Sequence, residues 1–353
     1  MLFLSLLSLA ALVRVAQAAL AFKGADWSSV PVEEAAGKTY KNTAGTTQPF
    51  ETILRASGAN TVRQRLWVNP ADGNYNLAYN IKLAKRAQAA GLAVYLDIHF
   101  SDTWADPGQQ ATPSVWSSYN IDDLANAVYH YTLDVSNTFA SNNIPLAIVS
   151  IGNEITNGML WPLGKLSNPG GAYDTARLLH SASAGIKDSS LATKPRIMIH
   201  LDNGWNYNTQ QTWYDNILSQ GPLLSTDYDA QGVSYYPFYN SAATLASIRS
   251  SLTSMKQKYG KTIMVVETNW PTYCPNPKYP FPADTTSIPF SPDGQTTWMK
   301  DVAAAVTAAG GVGLFYWEPA WIDNAPLGSS CGYNLMVDDT GKAMSSLASF
   351  AAI

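Results

Sequence analysis

The sequence predicts a single (β/α)8 barrel of the TIM type. Patterns of apolar strands alternate with helical patterns eight times along the 353 residues. Such an alternation requires parallel strands joined by right-handed helical crossovers. The length also suits one large barrel better than two ordinary domains. The alternative, an open doubly wound sheet, normally carries a glycine-rich phosphate turn, and the sequence contains neither a GxGxxG motif nor a P-loop motif.

The predicted strands are short apolar runs that end in polar residues, and several predicted helices end at a glycine. The strands cover residues 22–26, 60–68, 93–100, 146–154, 196–202, 230–238, 262–267 and 312–318. The helices cover residues 48–57, 77–90, 121–140, 173–187, 212–219, 243–259, 292–309 and 344–350. In a closed parallel barrel all strands end at the same rim, so polar residues at their carboxyl ends converge there.

The fourth and seventh of the buried-strand patterns each end in a glutamate. LAIVSIGNE ends at Glu154, and TIMVVE ends at Glu267. A carboxylate at the end of a buried strand is costly unless it has a partner or a function. Glycoside hydrolysis uses such a pair, because one carboxyl protonates the leaving oxygen while the other attacks or stabilises the sugar carbon. Each glutamate could instead be a salt-bridged strand end.

Other polar and aromatic residues occur at strand ends or in the loops that follow them. We predict supporting or substrate-binding roles for Arg63, Arg65, Asp97, His99, Asp102, Trp104, Asn153, His200, Asp202, Tyr235, Trp270, Trp317 and Trp321. Structural ion pairs and packed aromatic side chains are the alternative interpretation for each of them. The recurrence of such residues at the same end of successive strands favours a functional rim.

Several of these residues have a specific expected role. Arg63 and Arg65 share a strand face, and a guanidinium beside a carboxylate keeps it ionised, so we expect Arg65 beside Glu267. Asn153 is short enough to hydrogen-bond a sugar hydroxyl next to the reacting carbon. Tyr235 or Tyr236 could donate its hydroxyl to Glu267.

The composition and the residue pattern argue against a metal, a cofactor or a nucleic-acid partner. His99, His200, Asp97 and Asp202 could suggest a metal site, but the pattern lacks the further histidines of a hydrolytic metal centre. The net charge of −4, with only 14% charged residues, provides no basic surface for nucleic acid. Aromatic residues make up 11% of the chain, which suits stacking on sugar rings and core packing equally well.

The first 18 residues are predicted to be a secretory signal peptide. They are leucine-rich and end in Ala16-Gln17-Ala18, the small-x-small pattern that signal peptidase accepts. The catalytic domain would then cover residues 19–353 of an extracellular protein without a membrane span, and a monomer is the default. In an oxidising compartment, Cys274 and Cys331 are expected to form one disulfide, with two free thiols as the alternative.

The ordered set of motifs resembles glycoside hydrolase family 53, the retaining arabinogalactan endo-β-1,4-galactanases. The resembling segments are RQRLWVNP at 63–70, LDIHFSDTWADP at 96–107, SIGNEI at 150–155, GVSYYPFY at 232–239, VVETNWP at 265–271 and YWEPAW at 316–321. The resemblance implies that Glu154 is the general acid/base and Glu267 the nucleophile of a double displacement on β-1,4-galactan. It also implies a Cys274–Cys331 disulfide and no bound metal, since the eighth loop is short.

Two alternatives to this function remain open from the residues alone. The chain could be another retaining endoglycanase that cuts mannan or glucan, because no sequence argument fixes the direction of a substrate hydroxyl. It could also be a noncatalytic carbohydrate-binding barrel, although such proteins usually lose an essential carboxylate. A retaining mechanism requires the two carboxyls to lie about 5 to 5.5 Å apart, which is a geometric requirement on the fold.

Overall fold

The computed structural model describes residues 19–353, so the predicted signal peptide lies outside the described residues. Eight parallel strands close into one barrel in chain order, and the last strand pairs with the first. The strands are β1 Phe22–Asp26, β2 Thr61–Leu66, β3 Ala93–Ile98, β4 Leu146–Ile151, β5 Arg196–Leu201, β6 Ala230–Ser234, β7 Thr262–Glu267 and β8 Gly313–Tyr316. The predicted (β/α)8 fold is therefore confirmed.

Helices connect the strands and surround the barrel. They are α1 Val30–Ala35, α2 Phe50–Ala56, α3 Leu77–Ala89, α4 Ile121–Ser141, α5 Gly171–Asp188, α6 Tyr207–Ser219, α7 Leu245–Tyr259 and α8 Pro292–Ala308. Helix α1 was not predicted, because its six residues are too few to show helical periodicity. Helix α6 begins earlier than predicted, since the Asn206 side chain caps it by accepting from the Thr209 amide at 3.3 Å.

The final predicted helix is a 3-10 helix, Ser345–Ala352, rather than an α-helix. Its buried apolar residues Leu347 and Phe350 are three positions apart, which matches the three-residue turn of a 3-10 helix. This segment packs against α8 and closes the helical layer. Among residues 19–353, none of the helices is both long and apolar enough to cross a membrane.

Several strands end earlier than predicted, because the backbone leaves the extended conformation at the rim. Phe100, Glu154 and Glu318, which follow β3, β4 and β8, have φ angles of 50°, 49° and 45°. Non-glycine residues rarely adopt this left-handed conformation, and it occurs preferentially at functional sites. The polar strand ends that the sequence placed within strands thus lie in short turns that direct side chains over the barrel.

The barrel has an apolar interior below this rim. Side chains from strands β3, β4, β5, β7 and β8 fill it, namely Tyr95, Ile148, Met198, Met264 and Phe315. A second and larger apolar layer lies between the strands and the surrounding helices. Polar residues are therefore concentrated at the carboxyl ends of the strands, where the barrel opens to solvent.

Candidate active site

A cleft of about 610 Å³ opens at the carboxyl ends of the strands. Ten of the residues predicted from the sequence line this cleft: Arg63, Arg65, His99, Trp104, Asn153, Glu154, Asp202, Glu267, Trp317 and Trp321. They come from strands and loops far apart in the sequence, and the barrel brings them together. Asp97 and His200 lie just beneath the cleft, whereas Asp102, Tyr235 and Trp270 lie away from it.

The two glutamates face each other across this cleft. Glu267 is the last residue of β7, and Glu154 follows β4 at the start of the 3-10 helix Ile155–Asn157. A carboxylate oxygen of each glutamate and a ring nitrogen of His200 lie within 4.8 Å of one another. The separation of the carboxylates is close to that of retaining glycosidases and shorter than the roughly 6.5 to 9.5 Å of inverting ones.

A glycine determines how Glu154 reaches the cleft. Gly152 has a φ of 121°, and a Cβ at this position would lie 2.8 Å from the Ile155 side chain. Only glycine adopts such a conformation without strain. The chain therefore turns sharply after β4, and Asn153 and Glu154 are presented to the cleft instead of continuing the strand.

Arg63 is the central cation of the site, and it binds the proposed nucleophile. Its Nη2 atom lies 2.7 Å from Glu267 Oε1 and 2.9 Å from Asp97 Oδ2, and Nη1 lies 2.6 Å from Asp26 Oδ2. Nη2 also donates to Asn153 Oδ1 at 2.9 Å. The guanidinium therefore orients the Glu267 carboxylate and balances its negative charge.

The expectation that Arg65 lies beside Glu267 is wrong. Arg65 instead pairs with Glu318, which lies two residues after the end of β8, and donates to Ser29 Oγ at 2.7 Å. Two residues along a strand correspond to a rise of about 6.6 Å, so Arg65 lies one layer closer to the rim than Arg63. Burial raises the pKa of Glu318 to about 7, although Arg65 opposes this shift.

Tyr236 supplies the hydroxyl that reaches Glu267, donating to Oε2 at 2.8 Å. Tyr235, the tyrosine predicted to support the site, does not contact Glu267, because its hydroxyl donates to the carbonyl of Ala243 at 2.9 Å and its ring stacks on Trp298. The β6–β7 register shifts at Val233 and Ser234, just before these tyrosines. A strand irregularity of this kind changes which face a side chain occupies, and strand alternation does not reveal it.

Glu154 has the electrostatic environment of a proton donor. Burial raises its pKa well above the usual range, and the negative charges of Glu267 and Asp202 raise it further. A hydrogen bond from Ser234 and the charge of Arg63 only partly oppose this rise. A carboxyl with a raised pKa stays protonated at a pH where an ordinary glutamate is ionised, as a general acid requires.

Asp97 and the two histidines form a layer beneath the cleft. His99 Nδ1 accepts from the Ala105 amide at 3.1 Å and the Trp67 indole at 3.3 Å, so Nε2 carries the proton toward Asp97, 3.1 Å away. His200 Nε2 lies 2.9 Å from Ser234 Oγ. Burial lowers the pKa of His99, which keeps the ring neutral. Burial alone would raise the pKa of Asp97, but Arg63 and the histidines hold it well below its usual range.

The ligand types of a metal site occur here, but a cation does not fit them well. Among residues 19–353, Glu154, His200 and Glu267 form a group with suitable donor atoms. The Arg63 guanidinium, 2.7 Å from Glu267, already occupies the cationic position of this group. A metal bound to Glu267 would lie next to that positive charge, which is electrostatically unfavourable.

Asn153 and Asp202 present polar groups to the cleft. The Asn153 amide is oriented by two partners, since Oδ1 accepts from Arg63 and Nδ2 donates to the Ala105 carbonyl at 2.8 Å. Asp202 accepts hydrogen bonds from Thr156 and, at 2.6 Å, from Asn203 Nδ2. Burial raises the pKa of Asp202. Both side chains are therefore fixed in position beside Glu154.

Two predicted site residues have structural roles instead. Asp102 accepts from the amides of Asn69 at 3.0 Å and Ser114 at 2.8 Å, so it ties two rim loops together. Trp270 is buried, packs on Trp298 with ring centroids 5.1 Å apart, and donates to the Pro289 carbonyl at 2.9 Å. Neither side chain lines the cleft, because position after a strand does not determine the direction of a side chain.

Aromatic side chains form the walls of the cleft. Trp104, Trp317 and Trp321 line one part of it, and Trp205 and Tyr239 also contribute. Tyr239 and Ser234 were not among the predicted site residues, although both belong to the GVSYYPFY segment. The predicted disulfide between Cys274 and Cys331 is present, and it joins the loops that follow β7 and β8.

A closed (β/α)8 barrel with two facing carboxylates at the ends of β4 and β7 and an aromatic cleft defines the class of barrel glycoside hydrolases. The sequence matches the family model of glycosyl hydrolase family 53 over residues 22–350. The protein therefore belongs to glycoside hydrolase family 53.

The names of similar proteins agree with this assignment. The chain is 59% identical over 339 residues to arabinogalactan endo-β-1,4-galactanase A of Emericella nidulans, covering 96% of this chain and 95% of that one. It is 60% identical over 336 residues to the arabinogalactan endo-β-1,4-galactanase of Thermothelomyces thermophilus, covering 95% of this chain and all of the relative, 100%.

Solved structures show the same relationship. A fungal β-1,4-galactanase structure superposes with a TM-score of 0.93 at 60% identity, covering 95% of this chain and 100% of that chain. The family 53 catalytic domain of Ignisphaera aggregans gives a TM-score of 0.81 at 29% identity, covering 93% and 95% of the two chains. The catalytic core of a xylanase A, at 14% identity and a TM-score of 0.59, shares the fold.

Proposed function

We propose that this protein is a secreted, retaining endo-β-1,4-galactanase that cleaves the (arabino)galactan side chains of pectin. The observation that carries the proposal is the pair Glu154 and Glu267, whose carboxylate oxygens lie within 4.8 Å across an aromatic cleft. The galactan specificity is supported by relatives of about 60% identity that act on arabinogalactan. Secretion is supported by the leader-like residues 1–18.

In the first step, Glu267 attacks the anomeric carbon and Glu154 gives its proton to the glycosidic oxygen. The bond between the sugar carbon and that oxygen breaks, and a covalent galactosyl-enzyme forms on Glu267. Arg63 and Tyr236 hold the Glu267 carboxylate at 2.7 and 2.8 Å, so its reacting oxygen is oriented before substrate binds.

In the second step, the ionised Glu154 removes a proton from water, and that water attacks the anomeric carbon. The bond to Glu267 breaks, and the product keeps the β configuration. Departure of the leaving group makes room for the water on the side of Glu154. The same carboxyl therefore acts first as acid and then as base, and the raised pKa of Glu154 favours the protonated form in the resting enzyme.

The activity is tested with protein recovered from culture medium and assayed on linear β-1,4-galactan, arabinogalactan, mannan and glucan. We expect the recovered chain to begin near Ala19, to cleave galactan internally and to release a product that is initially the β anomer. Glu154→Gln and Glu267→Gln should each lower kcat by at least about 10³-fold, because each removes a group that acts in the transition state. Glu51→Gln, a change in a buried glutamate that pairs with Arg86, is the matched control and should keep full activity.

Alternative outcomes separate the rival functions. Turnover of mannan or glucan in preference to galactan would contradict the galactan specificity and leave the proposed mechanism of hydrolysis unchanged. Binding of galactan without turnover would make the protein a noncatalytic carbohydrate-binding barrel. An initial α product, or full activity of either glutamine variant, would contradict the retaining mechanism with these two residues.

A further inference from the structure

Arg65 faces the cleft but takes no part in holding the proposed nucleophile. Its closest carboxylate partner is Glu318, and Asp26 Oδ1 lies 3.9 Å away. The guanidinium carbon lies 4.2 Å from the ring centroid of Tyr75, 4.4 Å from that of Trp104 and 5.2 Å from that of Trp321. Three aromatic rings therefore surround one buried cation.

The edge of the same guanidinium is held by polar groups. Nη1 binds Glu318 Oε1, and Nη2 donates to Ser29 Oγ at 2.7 Å. Ser29 also donates to Glu318 Oε1, from its amide at 3.0 Å and from its hydroxyl at 2.9 Å. Arginine can bind partners at its edge and stack with its faces at the same time, so the plane of the Arg65 guanidinium is fixed.

The tryptophans around Arg65 form one surface of the cleft. Trp104 and Trp321 are stacked, with centroids 6.0 Å apart and an interplanar angle of 20°. Trp317 meets Trp104 edge-on at 6.1 Å. Trp104 comes from the loop after β3, whereas Trp317 and Trp321 come from the loop after β8. Arg65 contacts rings from both loops, and its partner Glu318 lies between the two tryptophans of the second loop.

We propose that Arg65, held by Glu318 and Ser29, is a positioning residue that aligns Trp104 and Trp321 as a sugar-stacking wall. This inference rests on the proposed carbohydrate function and deepens it. Stacking of a sugar ring requires a flat aromatic surface at a set height and tilt, and the two loops alone leave that alignment to weak ring contacts. The cation attracts both rings at once and stabilises one arrangement of them.

The position of Arg65 predicts which kinetic constant it controls. Arg65 contacts the stacking wall, whereas Arg63 contacts Glu267. Misaligned tryptophans weaken the binding of the substrate and of the transition state by the same amount. A loss of such uniform binding raises KM and leaves kcat unchanged.

The test compares Arg65→Lys with Arg86→Lys. Lysine keeps the charge opposite Glu318 but loses the planar fork, so the first variant should raise KM for galactan about tenfold with kcat changed less than about twofold. Arg86 is the matched control, because it also binds two carboxylates, Glu34 and Glu51, and lies 5.6 Å from the ring of Trp27, yet it is remote from the cleft. Arg86→Lys should keep the KM of the parent.

A spectroscopic measurement tests the positioning without substrate. Near-ultraviolet circular dichroism reports the mutual orientation of tryptophans, so Arg65→Lys should change the tryptophan bands of the free protein. If Arg65→Lys does not fold, Ser29→Ala serves as the milder variant, because it removes one hydrogen bond from each partner. It should raise KM about twofold to threefold in the same pattern.

The outcomes distinguish failure of this inference from failure of the proposed function. A parent protein that does not hydrolyse galactan overturns the function, whereas the circular dichroism of the variants still decides whether Arg65 aligns the tryptophans. Unchanged KM and unchanged tryptophan bands in folded Arg65→Lys overturn the positioning role. A fall in kcat at constant KM would also overturn it, because it would place Arg65 in the chemical step.

Discussion

Arg63 and Arg65 lie two positions apart on β2, and each is only 1% exposed, yet their surroundings differ. Arg63 is bound by three carboxylates, Asp26, Asp97 and Glu267. Arg65 has one close carboxylate, Glu318, and three aromatic rings. An arginine therefore balances the charge of buried carboxylates at one height of the barrel and contacts aromatic rings of the cleft at the next.

On the proposed function, the two arginines mark separate layers of the barrel, one for the chemical step and one for substrate binding. The layer around Arg63 receives Asp26, Asp97 and Glu267 from the carboxyl ends of β1, β3 and β7, where these carboxylates are buried together. The layer around Arg65 receives side chains from the longer loops after β3 and β8, which carry the tryptophans. Substitutions in the two layers should therefore change different kinetic constants.

The largest difference between the layers is expected from Arg63→Met. Methionine leaves Asp26, Asp97 and Glu267 buried together without their cation, which should destabilise the fold by about 3–5 kcal/mol. Loss of the group that orients Glu267 should also lower kcat by at least about 10²-fold. Urea denaturation and steady-state kinetics on galactan measure the two effects. If the Arg63→Met enzyme folds and keeps the kcat of the parent, Arg63 does not act on the chemical step, and the proposed difference between Arg63 and Arg65 is contradicted.

A smaller difference is expected between two tyrosines, one in each layer. Tyr236→Phe removes the hydroxyl that donates to Glu267 and should lower kcat about tenfold. Burial and the charge of Glu267 raise the pKa of Tyr236, so this hydroxyl stays protonated and acts as a donor. Tyr75→Phe keeps the ring that stacks on Arg65 and loses only a 3.3 Å contact with Ser29, so both constants should stay near those of the parent. Equal kcat values for the two variants would contradict the assignment of Tyr236 to the chemical layer.

The smallest expected effect concerns stability and pH at Glu154. Burial, with the charges of Glu267 and Asp202, raises the pKa of Glu154 in the folded protein. The folded state therefore favours the neutral carboxyl, and this contribution to stability is complete below the unfolded pKa and is lost as the pH rises through the folded pKa. Glu154→Gln is always neutral, so its Tm should exceed that of the parent by about 2 °C at pH 8 and match it at pH 4.

Thermal melts of the parent and Glu154→Gln at the two pH values measure this effect. The contribution of Glu318, whose pKa is raised to about 7, is common to both proteins and cancels in the comparison. If the Tm of the variant at pH 8 is equal to or below that of the parent, burial and the neighbouring charges do not disfavour ionised Glu154. A different interaction would then have to keep Glu154 protonated in the resting enzyme.

The predicted residues that line the cleft share one property. Glu154 and Glu267 each follow an apolar run, and the barrel brings all strand ends to one rim, so their convergence follows from the fold class. The arginines, His99, Asn153, Asp202 and three tryptophans reach the cleft for the same reason. The resemblance to the galactanase family added the assignment of roles, which periodicity alone does not provide.

The predicted residues that point away from the cleft also share a physical cause. Tyr235 and Tyr236 are adjacent, and a register shift before them decides which hydroxyl reaches Glu267. Trp270 follows β7 but turns into the packing around Trp298. The direction of each side chain depends on the space that distant parts of the chain leave for it. The local sequence does not predict that space.

The sequence by itself determined the alternation of strands and helices, the two glutamates at strand ends and the pair of cysteines that form the disulfide. These features follow from local patterns, because the hydrophobic period, the residues that end helices and strands, and the residue types are properties of short segments. Only the tertiary structure decided that Arg63 holds Glu267 while Arg65 holds Glu318 and the tryptophans. Two arginines on the same strand face are equivalent until the other strands close the barrel, because their partners come from residues as far as 253 positions away.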